Sequence, residues 1–94
     1  GQVCISTQRV YAAAKVHGDW LDALRAKVEA LVPGDPLKEE TQLGPMVREA
    51  DAKRVEEWIG EAIAGGAKVV TGGKREGTRY AATILDEVTP EMKV

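Results

Sequence analysis

The sequence predicts an α/β fold: a partial three-layer open sheet with at least one parallel crossover, in the order strand, helix, helix, strand, strand. Three observations predict it. Two stretches repeat apolar residues at helical spacing, Leu21 to Leu31 and Ala52 to Ile63. Short runs rich in β-branched residues lie on either side, around Val10 and around Val69-Val70. Glycine and proline pairs punctuate the joins, and helices placed between strands favour a parallel pair joined by a crossover.

The first strand is expected over Arg9 to Ala14, where Val10 and Tyr11 precede three alanines that leave a helix open. Asp19 is a candidate N-cap for the first helix, in which Leu21, Leu24, Val28 and Leu31 form one face. Pro33-Gly34 ends that helix and Pro36 prevents its resumption. Asp35 to Val47 is a long connection, and one of this length is usually functional or packed against the rest of the protein. Leu43, Met46 and Val47 are expected to tack it down.

The second helix is expected from about Arg48 to Ala64, with Ala52, Val55, Ile59, Ala62 and Ile63 buried and Trp58 at the edge. Gly65-Gly66 closes it. A strand is expected over Ala67 to Thr71, then a basic turn through Gly72-Gly73, Lys74, Arg75 and Gly77, then a strand over Ala81 to Val88.

The 94 residues suffice for one small domain. Hydrophobic residues make up 44% and charged residues 30%, which separates the chain from disordered sequences. A net charge of -2 gives no reason to expect a nucleic-acid partner, and no apolar run approaches a membrane span. One cysteine fits a reducing compartment, so a cytoplasmic location is expected. The chain opens on Gly1 and stops at Val94 without a cap or turn, so it reads as an excised piece of a larger polypeptide.

Cys4 is the leading candidate for chemistry. It cannot form an intramolecular disulfide, and a thiol near a chain end before a strand-like segment is a common presentation for a nucleophile. The thiolate is the reactive form, so a catalytic site must lower the thiol's pKa or supply a base. Neither is identifiable beside Cys4, and by composition alone a small buried hydrophobe is the more frequent role.

Other residues carry blander expectations. His17 has no nearby Cys or His, so a metal site is not expected. Ser6 lacks a triad context. Gly72-Gly73-Lys74-Arg75 lacks the ending of a phosphate-binding loop and reads as a turn. Glu39-Glu40 reads as an exposed charge pair.

An ordered set of motifs weighs more than any of these. Gly1-Gln2-Val3-Cys4 with Gln8-Arg9-Val10, then Gly34-Asp35-Pro36, Leu43-Gly44-Pro45-Met46, Arg54-Val55-Glu56, Trp58-Ile59, Gly65-Gly66-Ala67, Gly72-Gly73 and Ala82-Thr83-Ile84-Leu85 together resemble the aldehyde dehydrogenase superfamily over essentially the whole chain. Ala82 departs from the family's usual proline, which should loosen entry to the last strand.

The resemblance implies that residues 1–94 are a partial catalytic domain lacking the cofactor-binding domain. It implies that Cys4 adds to an aldehyde as a thiohemiacetal, passes hydride to NAD or NADP, and leaves a thioester that water hydrolyses to a carboxylic acid. Cys4 would also supply a backbone N–H to the oxyanion. The base glutamate, the oxyanion asparagine and the cofactor contacts would lie elsewhere, so these residues alone are expected to bind no cofactor and to be inactive. The parent is expected to be a homo-oligomer acting on an aldehyde, without nucleic-acid or membrane partners. The alternatives are a truncated, non-enzymatic interaction or assembly module and, more weakly, a cysteine esterase or acyl-transfer activity surviving without cofactor.

Overall fold

A computed structural model describes residues 3–94. Its elements are α1 (Ala14–Glu29), α2 (Glu49–Ala64), β1 (Lys68–Thr71), β2 (Arg75–Glu76), β3 (Arg79–Tyr80) and β4 (Ile84–Asp86). The α/β class stands, but the strands form two small antiparallel sheets, β1 with β4 and β2 with β3.

The expected first strand is not one. Residues 7–13 make no ladder among the described residues, and helix takes over at Ala14. The alanines explain the helix: Ala is the strongest helix former, and it lets α1 begin five residues ahead of Asp19. Ala13, not Asp19, holds the N-cap position, and it makes no side-chain cap. The extended part has no strand beside it to bond, and a strand without a partner has no stability of its own. No strand pair is parallel, so the crossover does not form among the described residues; the one parallel bridge joins Pro33 to Leu43 inside the long connection.

α1 buries no residue fully and packs against β1. Its half-buried stripe is His17, Leu21, Leu24 and Val28, one helical turn longer at the front than the leucines alone suggest. α2 supplies most of the core: Ala52, Ile59 and Ala62 are buried, joined by Ala67 just beyond it. Ile63 is 45% exposed and so lies outside the expected stripe.

The C-terminus of α2 shows how two glycines stop a helix. Gly66 takes φ +110, a conformation that a side chain disfavours. That lets Ala67 N–H reach the Ala62 carbonyl at 2.9 Å and Gly66 N–H reach Ile63 at 3.0 Å, the paired bonds of a Schellman motif. The chain is thereby turned directly into β1.

β1 pairs Lys68 with Asp86, Val69 with Leu85 and Thr71 with Ile84, with a bulge between Val69 and Thr71. The expected strand over 81–88 is thus only three residues long. The basic turn contains a hairpin, β2–β3, whose two-residue loop opens on Gly77 at φ +59. Arg75 holds it to α2 through Glu56 at 2.7 Å.

The connection over 35–47 folds on itself: Gly34 N–H donates to Leu43, and Gln42 N–H to Val32. Met46 N–H then ties it to the hairpin tip through the Thr78 carbonyl at 2.8 Å. Leu43 and Met46 are half-buried as expected, whereas Val47 is 89% exposed and tacks nothing down.

The accessible surface is 6989 Å². A complete globular domain of this mass exposes about 5,300 Å² by the usual size scaling. Ile5, Tyr11, Leu37 and Val47 are among the exposed apolar side chains.

Candidate active site

Cys4 occupies the corner of a turn. Ser6 N–H donates to the Val3 carbonyl at 2.9 Å, which places Cys4 and Ile5 at the two central positions. The thiol is exposed and unbridged among the described residues. The turn's own bond engages Ser6 N–H and leaves Cys4 N–H outside it. Gly1 and Gln2, which complete the nucleophile motif, lie outside the described residues.

A groove of about 590 Å³ starts two residues beyond the thiol. Ser6, Arg9, Tyr11, Val55, Trp58 and Tyr80 are among the residues that line it. Residues 3–13 carry no buried side chain, and Tyr11 is 87% exposed. Their long-range hydrogen bonds to described residues come from Arg9, whose Nε donates to an oxygen of Val94, the last residue, at 3.0 Å and whose Nη2 donates to the Met92 carbonyl at 3.3 Å.

The other candidates separate from Cys4. His17 Nε2 donates to Asp86 Oδ1 at 2.9 Å and so joins α1 to β4. No group of three or more His, Cys, Asp or Glu that could hold a metal occurs among the described residues. Burial pushes the Asp86 carboxyl up, but the Glu87 backbone N–H, the His17 hydrogen bond and the charges of His17 and Lys68 outweigh it and hold it below the ordinary aspartate range.

Gly72-Gly73 does not fit a dinucleotide phosphate. A Cβ on Gly72 would stand 2.2 Å from the Ala82 carbonyl oxygen, so this glycine makes room for the protein's own backbone. Gly73 N–H is already given to Thr83 Oγ1 at 2.9 Å. One of the amides a phosphate would need is therefore already used.

Sequence reasoning missed the contact of Arg9 with Met92 and Val94 and the tie made by His17. Both join residues far apart in the chain, and the only sequence signal for Arg9 was its place in the nucleophile motif.

The model of the aldehyde dehydrogenase family matches residues 1–94. The chain belongs to the aldehyde dehydrogenase family. It is 49% identical, over all of its length and 20% of the relative's, to 3-sulfolactaldehyde dehydrogenase from Priestia megaterium. Aldehyde dehydrogenase 21 from Physcomitrella patens, solved with the reaction product succinate, superimposes with a TM-score of 0.92 at 38% identity, covering 97% of this chain and 19% of that one. The NADP-dependent glyceraldehyde-3-phosphate dehydrogenase from Bacillus halodurans, solved with NADP, gives 0.92 at 31% identity, covering 99% and 19%. The chain therefore spans about a fifth of the length of the aldehyde dehydrogenases it matches. No helix among the described residues is long and apolar enough to cross a membrane.

Proposed function

We propose that this chain carries the nucleophile of an NAD(P)-dependent aldehyde dehydrogenase that oxidises an aldehyde to a carboxylic acid. The observation that carries the reading is the exposed Cys4 at the corner of a turn, in a chain that belongs to this family throughout its length. The Cys4 thiolate adds to the aldehyde carbonyl, forming a carbon–sulfur bond and placing negative charge on oxygen. Cys4 N–H, outside the turn's own hydrogen bond, is available to that oxyanion, and an aimed backbone donor is worth most where charge develops.

NAD or NADP supplies the hydride acceptor. Its binding is assigned to other parts of the polypeptide, since Gly73 N–H, one of the amides a phosphate would use in the Gly72-Gly73 turn, is already taken by Thr83. No step beyond the addition is assigned to these residues. In the complete catalytic domain, residues 7–13 gain a neighbouring strand and the crossover expected from sequence. A single exposed thiol suits a reducing, cytoplasmic setting.

The test is to mix the complete polypeptide that carries this chain with a panel of aldehydes and either nucleotide. Aldehyde-dependent nucleotide reduction that vanishes in Cys4→Ser supports the reading; reduction that persists in Cys4→Ser contradicts it. The surface in excess of a complete domain's favours a second reading, an assembly module that associates through its uncovered apolar side chains. A defined oligomer formed by the 94-residue chain alone, with no effect of Cys4→Ser in any larger assembly, would favour it.

A further inference from the structure

We draw no further inference here: the strongest candidate, the groove between residues 8–11, α2 and β4 that Tyr11, Val55, Trp58, Tyr80 and Leu85 line, carries nothing because nothing in the structure shows what covers it.

Discussion

His17 Nε2 donates to Asp86 Oδ1 across 2.9 Å, fastening the first turn of α1 to the end of β4. The two side chains are 40% and 23% exposed, so solvent weakens the pair without removing it. His17→Ala is expected to destabilise the folded protein by about 0.5–1.5 kcal/mol, measured by urea titration. The sign of the pH effect follows from Asp86. Its carboxyl is held below the ordinary aspartate range, so its contribution is fully present above that range and is lost as pH falls through the lower, folded-state value. Stability should therefore decline below about pH 4, and less steeply in Asp86→Asn. Identical acid profiles for the two proteins would contradict this.

Two glycines with positive φ should answer differently to alanine. Gly72 has φ +78, and a Cβ there would meet the Ala82 carbonyl oxygen at 2.2 Å and Thr83 Oγ1 at 2.6 Å. Gly77 has φ +59 and open space around it. Gly77→Ala should cost about 1 kcal/mol, the strain of the backbone alone. Gly72→Ala adds a clash with main chain and disturbs the Gly73 to Thr83 hydrogen bond, so it should cost about 3 kcal/mol or more. Equal losses in thermal or urea unfolding would show that the close approach at Gly72 is not a constraint.

The core is small and lies on one helix. Ile59→Ala is expected to cost about 2–5 kcal/mol, whereas Val47→Ala, at an exposed position, should fall within about 0.5 kcal/mol of wild type. In the 94-residue chain taken alone, slow amide hydrogen exchange should be confined to the stretch from Ala52 to Ala67, where the buried residues lie. Protection extending across residues 3–13, which bury no side chain, would contradict this.

Sequence pattern revealed some of this architecture and concealed the rest for physical reasons. α2 was legible because its period is regular and Gly65-Gly66 marks its end. β1 was legible because Val69-Val70 sits between glycines. The start of α1 was not, because alanines suit a helix without announcing a cap, and the stripe extends back to His17, which is not an apolar residue. β2 and β3 are two residues each, too short for alternation to appear. The strand expected at Arg9–Ala14 depends on a neighbour that the described residues do not supply. The family was legible through the ordered motifs behind Cys4, and no activating group beside Cys4 marked a role for it. The ties made by Arg9 and His17 span 83 to 85 and 69 residues, and no local pattern encodes such a pairing.

The central claim, that these residues carry the nucleophile of an aldehyde dehydrogenase, is tested most directly by transplanting them. Residues 1–94 would replace the equivalent stretch of the 3-sulfolactaldehyde dehydrogenase from Priestia megaterium, with which they share 49% identity. Aldehyde-dependent nucleotide reduction would then be measured in this chimera and in its Cys4→Ser variant. The expected result is an active chimera whose turnover falls by about a thousandfold or more in Cys4→Ser, as loss of a covalent nucleophile requires. A folded chimera whose turnover is the same with serine at position 4 would contradict the claim.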